Sequence, residues 1–226
     1  MAVALIVAAG QGERLGSGRP KALVLLSGKS MVQWSVDVLS SVDAVQRIVV
    51  ALPADVLDQA PAGTIAVAGG AVRSESVRNA LGAAPDGDPV IVHDAARPLA
   101  DRELFERALE DLETSGADAV IAAAPVTDTI KEARSAGDGR EVARTLERTG
   151  LWAVQTPQAF RRAALERVLA NASPELLAQA TDDAWLIERA GGKVRVLPAS
   201  AENIKVTTPT DLHVAQLLLA ERERRR

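Results

Sequence analysis

Arg14, Arg19 and Lys21 follow closely on Gly10 and Gly12, with Gly16 and Gly18 set among them. Glycines allow backbone conformations that turn successive N–H groups toward one point, and the missing side chain lets a ligand approach closely. Guanidinium and ammonium groups neutralise phosphate oxygens. Together these residues read as a cradle for the phosphates of a nucleotide. Two common phosphate loops do not fit. No Gly-x-x-x-x-Gly-Lys-Ser/Thr string occurs at this position, and the Gly-x-Gly-x-x-Gly spacing that starts at Gly10 meets Leu15 in its third place. The plain alternative is a glycine-rich turn that binds nothing, and the three cations weigh against it.

Composition narrows the catalyst further. The 226 residues include two histidines, His93 and His213, no tyrosine and no cysteine. Acid–base or Ser-His chemistry has little to draw on, and disulfides and thiolate metal sites are excluded. Arginine is plentiful, whereas lysine occurs only at positions 21, 29, 131, 193 and 205. A net charge of −4 and a pI near 5.4 argue against a general nucleic-acid binder. No apolar run approaches the ~20 residues that cross a bilayer, and the first residues do not read as a signal peptide. A soluble, cytoplasmic protein is expected. With 47% hydrophobic content the chain can bury a full core, and a single domain over 1–226 is the simplest partition.

The elements that must position these groups are legible in turn. Val3 to Ala9 is a continuous apolar run, the pattern of a strand buried on both faces. Ser30 to Leu39 carries a helical stripe of Met31, Trp34, Val38 and Leu39, with Ser30 as N-cap and Trp34 in the core. Further strands are predicted at 47–52, 64–68, 89–93, 117–124 and 193–197. Helices are predicted at 74–84, 104–112, 161–170 and 183–190, and a last one is opened by Pro209. The tail, 221–226, reads as a solvated end. Strands alternating with helices imply an α/β, doubly wound, mostly parallel sheet, in which ligands sit outside the C-terminal strand ends. The cradle and Asp94, which directly follows an apolar strand, both fall there. A carboxylate so placed can accept from ribose hydroxyls or approach a metal; pairing with Arg97 in the same turn is the structural alternative.

Between Asp128 and Arg148 the character changes. Residues 129–133 and 141–146 flank a turn-rich 135–139, which reads as a β-hairpin with little apolar content. A lone hairpin is marginal in water. It is either a mobile surface hairpin or an arm with a partner surface.

Four segments carry a resemblance: Ala8-Ala9-Gly10-Gln11-Gly12-Glu13-Arg14-Leu15-Gly16 with Pro20-Lys21; Gly69-Gly70-Ala71-Val72-Arg73-Ser74-Glu75-Ser76-Val77; His93-Asp94-Ala95-Ala96-Arg97-Pro98; and Asn203-Ile204-Lys205-Val206-Thr207. In this order, over nearly the whole chain, the sequence resembles the 2-C-methyl-D-erythritol 4-phosphate cytidylyltransferases, a family of sugar-nucleotide-type nucleotidyltransferases. The resemblance implies a Rossmann-like three-layer nucleotidyltransferase fold with a protruding β-hairpin arm, 128–149, through which a homodimer forms. It also implies transfer of the cytidylyl group of CTP to methylerythritol phosphate in non-mevalonate isoprenoid precursor synthesis. Arg14, Lys21 and Lys205 would stabilise the triphosphate and the transition state. Ala8, Ala9, Gly10, Gly12, Gly70, Arg73, Ser76, Asp94 and Ala95 would bind CTP, with Gly70, Arg73 and Ser76 at the base. Arg97, Thr127, Arg148 and Thr181 would bind the acceptor, Arg148 reaching a neighbour's site from the arm. Mg²⁺ would be held mainly by the triphosphate, with Asp94 as the one candidate protein ligand.

Bland readings stand beside these: Lys205 as a surface lysine, Ser74 as the N-cap of an ordinary turn with Arg73 solvated, and Thr181 as only a helix cap. Two residues depart from the family pattern, Leu15 where methionine is frequent and Glu202 where aspartate is often found. The rival functions are a cytidylyltransferase for a polyol phosphate such as ribitol 5-phosphate and a non-catalytic nucleotide-binding protein on the same scaffold.

Overall fold

The computed structural model describes residues 1–16 and 18–225. Ser17 of the glycine-rich loop and Arg226 at the end of the tail lie outside them. In chain order the elements are β1 (Ala2–Val7), β2 (Leu25–Leu26), β3 (Lys29–Ser30), α1 (Met31–Ser40), β4 (Val45–Leu52), β5 (Ile65–Ala68), α2 (Arg73–Ala83), β6 (Val90–Asp94), α3 (Arg102–Ser115), β7 (Ala119–Pro125), β8 (Lys131–Ala136), β9 (Gly139–Thr145), β10 (Trp152–Phe160), α4 (Arg162–Asn171), α5 (Pro174–Gln179), α6 (Asp183–Arg189), β11 (Val194–Pro198) and α7 (Pro209–Arg225).

Seven strands form one sheet in the order β11-β7-β10-β6-β1-β4-β5. All run parallel except β10, which pairs antiparallel with both β6 and β7. β1 lies inside the sheet, and its alternating side chains serve two cores. Ala4 and Ile6 pack with α1 and α3 through Val36, Leu39, Phe105 and Leu112. Val3 and Leu5 pack on the other face with Val77, Leu165 and Ile187 of α2, α4 and α6. These are the three layers that the strand–helix alternation implies. A third, smaller cluster joins Leu15 of the loop, Leu26, Met31, Val206 and Leu219 of α7.

The chain reverses its direction of travel across the sheet between β1 and β6. Val7 stands opposite Asp94 at their ends, and Ala95 N–H donates to the Val7 carbonyl at 3.1 Å. The crevice outside a reversal of this kind is where doubly wound sheets bind ligands.

Several boundaries differ from the expected ones, each for a local reason. α2 begins at Arg73 after Val72, so Ser74 is not its cap and is buried inside the helix. Its entry is held instead by Glu75 Oε2, which accepts from Ala71 N–H at 2.8 Å, and by Ser76 Oγ, which accepts from Gly70 N–H at 3.0 Å. α6 is capped by Asp182, which accepts from Trp185 N–H at 2.9 Å, not by Thr181. Trp34 is only half-buried: its indole N–H donates to the Leu26 carbonyl at 2.9 Å, and the Lys29 ammonium lies 4.4 Å from the ring centre. α5 carries no apolar periodicity long enough to announce it; Ser173 caps it and Pro174 opens it.

α7 starts with a reciprocal capping box. Asp211 N–H donates to Thr208 Oγ1 at 3.2 Å, and Asp211 Oδ2 accepts from Thr208 N–H at 2.8 Å. The tail is helical as far as Arg225. Among the described residues no helix is long and apolar enough to cross a membrane. β8 and β9 form the hairpin, longer than expected, with a turn of only Gly137 and Asp138, Gly137 at φ 58°. Glu132 and Arg144 pair across it at 2.6 Å, and Val142 is 61% exposed.

Candidate active site

Every residue the resemblance assigns to CTP or to catalysis lines one cavity of about 440 Å³ at the C-terminal ends of β1 and β6. The β1 end supplies Ala8, Ala9, Gly10, Gly12 and Arg14. Lys21 closes the loop: its N–H donates to the Gly10 carbonyl at 3.0 Å. Gly12 is required for this closure. It takes φ +74°, and a Cβ there would stand 2.8 Å from Lys21 Cβ and 3.0 Å from Lys21 Cα. Gly70 and Ser76 form the opposite rim. The Ser76 hydroxyl accepts from Gly70 N–H and lies 3.3 Å from the Val72 carbonyl, so its first role is to hold the rim.

A second cavity of about 310 Å³ adjoins the first, and the two share Arg73, Asp94 and Lys205. Asp94 Oδ1 accepts from Arg73 Nε at 3.0 Å, and Oδ2 pairs with Lys205 Nζ at 2.6 Å. Arg73 Nη1 also reaches Asp183 Oδ2 at 2.5 Å, so the guanidinium is neither solvated nor free. Arg97 does not pair with Asp94. Its Nη1 donates to the Asn203 carbonyl at 2.6 Å and its Nη2 to the Val154 carbonyl at 3.2 Å, tying β10 to the segment that carries Lys205. Lys205, 44% exposed at its side chain, is thus fixed at the cavity wall.

Electrostatics follow from this crowding. Burial, then the charges of Lys205 and Arg14, lower the Lys21 ammonium from 10.5 to about 8 despite Asp94. Burial alone would raise the Asp94 carboxyl, but Arg73 and Lys205 hold it well below the usual carboxylate range. Burial would likewise lower Arg73, and Asp183 and Asp94 outweigh it and raise the guanidinium. Burial first and the neighbouring cations second thus disfavour the charged Lys21, and an anion bound among these cations would relieve both.

The four residues assigned to the acceptor divide. Arg97 and Thr181 line the second cavity. Thr127 and Arg148 line neither; they are joined at the base of the hairpin, where Arg148 Nη1 donates to the Thr127 carbonyl at 2.5 Å. His93, the histidine nearest the site, is fully buried. Burial lowers its imidazole to about 4, its Nδ1 lies 3.1 Å from Thr156 Oγ1, and its ring packs edge-on to Phe105. It supports the strand rather than facing the cavity.

Sequence reasoning missed the polar residues behind these groups. Thr156 Oγ1 accepts from Asp94 N–H at 3.0 Å. Asn203 Nδ2 donates to Gln155 Oε1 at 2.8 Å and to the Thr156 carbonyl at 2.9 Å. Pro157, which has no N–H, occupies the stretch where the β10–β7 ladder is interrupted. Residues 151–160 resemble the family's return strand with its Thr-Pro-Gln turn, and β10 lies there, but that resemblance assigned no role to Gln155 or Thr156.

A mostly parallel three-layer sheet with a glycine-bent cationic loop over two joined cavities defines a nucleotidyltransferase. Comparisons with known proteins agree. The model of the family described as 2-C-methyl-D-erythritol 4-phosphate cytidylyltransferase matches residues 2–221. A protein of that name from Rhodococcus jostii (strain RHA1) is 45% identical over 223 residues, covering 97% of this chain and 95% of its own length. Another from Frankia casuarinae is 46% identical over 222 residues, covering 96% of this chain and 80% of its own. The crystal structure of the cytidylyltransferase of the same name from Thermus thermophilus superposes with a TM-score of 0.81 at 32% identity, covering 97% of this chain and all of that one. The chain belongs to the 2-C-methyl-D-erythritol 4-phosphate cytidylyltransferase family.

Proposed function

We propose that the protein transfers the cytidylyl group of CTP to 2-C-methyl-D-erythritol 4-phosphate and releases pyrophosphate, in non-mevalonate isoprenoid precursor synthesis in the cytoplasm. The observation that carries this reading is the pair of adjoining cavities sharing Arg73, Asp94 and Lys205. CTP occupies the first and the acceptor the second, so the reacting phosphates meet at the shared wall. An acceptor phosphate oxygen attacks the α-phosphorus in line; the new P–O bond forms as the bond to the β-phosphate breaks. The oxygen is already anionic, so no general base is needed, and catalysis consists of alignment and charge neutralisation.

Lys21 and Arg14 meet the triphosphate from the loop, and Lys205 meets the transferring group from the far side. Gly70 and Ser76 frame the base, while Arg73, expected there too, is taken up by Asp94 and Asp183 and stands in the shared wall instead. Mg²⁺ would be carried mainly by the triphosphate, with Asp94 as the one protein carboxylate proposed to help hold it; among the described residues no cluster of three ligating side chains exists. When bound, it neutralises charge on the phosphates.

Thr127 and Arg148 complete the acceptor site of a second copy. The hairpin 128–149 is the arm that joins the dimer, a reading supported by its exposed Val142 and by a pairing confined to its own two strands. The rest of the chain acts as a single domain.

Pyrophosphate release with Mg²⁺, each of CTP, UTP, ATP and GTP, and either methylerythritol 4-phosphate or ribitol 5-phosphate tests the proposal. Release with CTP and methylerythritol phosphate alone is expected. Release with ribitol phosphate instead overturns the acceptor, and silence from a folded sample that binds CTP overturns catalysis.

A further inference from the structure

The wall between the cavities is braced from behind by a residue that touches neither. Asp183, in the first turn of α6, is fully buried and lines neither cavity. From it a chain of alternating charge runs outward: Asp183 Oδ2 to Arg73 Nη1 at 2.5 Å, Arg73 Nε to Asp94 Oδ1 at 3.0 Å, Asp94 Oδ2 to Lys205 Nζ at 2.6 Å.

A guanidinium ordinarily grips a carboxylate with two parallel N–H bonds. Arg73 does not grip Asp94 that way. Asp183 takes one of its nitrogens, Asp94 receives a single bond, and the second Asp94 oxygen is left for the lysine. The other oxygen of Asp183, Oδ1, is buried without a hydrogen-bond partner. Burial pushes the Asp183 carboxyl up, although Arg73 opposes it; a buried carboxyl with one oxygen unpartnered is a poor way to stabilise a fold, which points to a role in the site.

We infer that Asp183 is a positioning residue for the transfer step: by dividing Arg73 between two carboxylates, it reserves one oxygen of Asp94 for Lys205 and so fixes the lysine ammonium at the wall the two cavities share. The inference rests on the role proposed above for Lys205 at the transferring phosphate. Without Asp183, Arg73 takes both oxygens of Asp94, and Lys205 is released.

A double-mutant cycle reads this directly. Turnover is measured with radiolabelled CTP at saturating acceptor for Asp183→Asn, Lys205→Ala and the pair. Asp183→Asn alone is expected to lower kcat about tenfold, with the KM for CTP kept within about twofold. In the Lys205→Ala background the same change is expected to alter kcat less than about twofold. An equal loss in both backgrounds marks a merely structural role and overturns the inference, as does unchanged kcat in the single variant. If Asp183→Asn does not fold, Asp183→Glu, which keeps the charge and moves it by one methylene, goes through the same cycle under the same criteria. If the wild-type protein releases no pyrophosphate, the proposed function fails. The brace is then judged by the crystal structure of the folded variant: expected are Arg73 on both Asp94 oxygens and Lys205 Nζ beyond the ~4 Å of an ion pair. An undisturbed Lys205–Asp94 pair overturns it.

Discussion

Gly12→Ala tests whether the loop's curvature, beyond its charge, sets the position of Lys21. Two costs are separable. The first is conformational: an alanine at φ +74° sits in the left-handed region, at about 1–2 kcal/mol. For a chain of this size that lowers Tm by roughly 2–8 °C. The second is steric. The new methyl would stand 2.8 Å from Lys21 Cβ and 3.0 Å from its Cα. Ordinary carbon contacts lie near 3.5–4.0 Å, so the Lys21 backbone must retreat by roughly 1 Å. A misplacement of that size costs about 100-fold in rate, or about 2.7 kcal/mol of transition-state stabilisation. Gly16→Ala isolates the first cost: Gly16 has φ +62°, and its Cβ would meet nothing within 4 Å. Steady-state pyrophosphate release and thermal unfolding of both variants decide the matter. Similar Tm losses with a kcat loss confined to Gly12→Ala are expected. Equal kcat losses, or wild-type turnover in Gly12→Ala, refute the reasoning.

The other expectations are briefer. The Lys21 ammonium, lowered to about 8 in the folded protein against 10.5 when solvated, leaves the unfolded state holding more protons between those values. Wild-type stability should therefore rise relative to Lys21→Met as pH increases from 8 toward 10; a difference in unfolding free energy that is flat with pH contradicts the burial of this group. Arg148→Ala should weaken acceptor use and spare CTP binding, and a monomer in sedimentation at micromolar concentration defeats the arm. Thr208→Ala, which breaks the capping box of α7, should cost about 1 kcal/mol, or roughly 2–4 °C in Tm; an unchanged Tm rules the box out as a stabilising device. If the metal enters with the triphosphate, as proposed, EDTA should abolish turnover and leave the Tm of the nucleotide-free protein unaltered. A lower Tm on chelation points to a protein-held ion.

The layered sheet and the cavity-lining residues were legible because their signals are local. The run Val3 to Ala9 is apolar at successive positions because β1 is buried on both faces, and the glycines behind it mark a bend that side chains would obstruct. Arg73 lines the cavity, but its partners could not be read, since Asp94 and Asp183 lie 21 and 110 positions away along the chain. The roles of Asn203, Gln155 and Thr156 were hidden for the same reason, although Asn203 opens a segment that carries the resemblance: a buried polar side chain is meaningful only through partners that folding supplies. Thr181 and Ser74 show a different limit. Ser74 stands one residue inside the start of α2 and Thr181 one residue before the cap of α6, and the choice of cap depends on which side chain faces the open N–H groups. Arg97 was expected to contact substrate or Asp94, and the carbonyls that hold it could not be read from any side-chain pattern.

The third apolar cluster has a bearing on motion. Leu15 of the phosphate loop, Val206 beside Lys205 and Leu219 of α7 share it, separate from the two cores that flank the sheet. Arg222 adds a bond to the Leu99 carbonyl at 2.6 Å. Leu15 and Val206 thus tie both cationic walls of the site to one small cluster, and small clusters outside a main core are where local opening is expected. Amides of Leu15, of 203–207 and of α7 are expected to exchange together in native-state hydrogen exchange, at a lower opening free energy than β1, and independent exchange of the three would show that the cluster is not one unit.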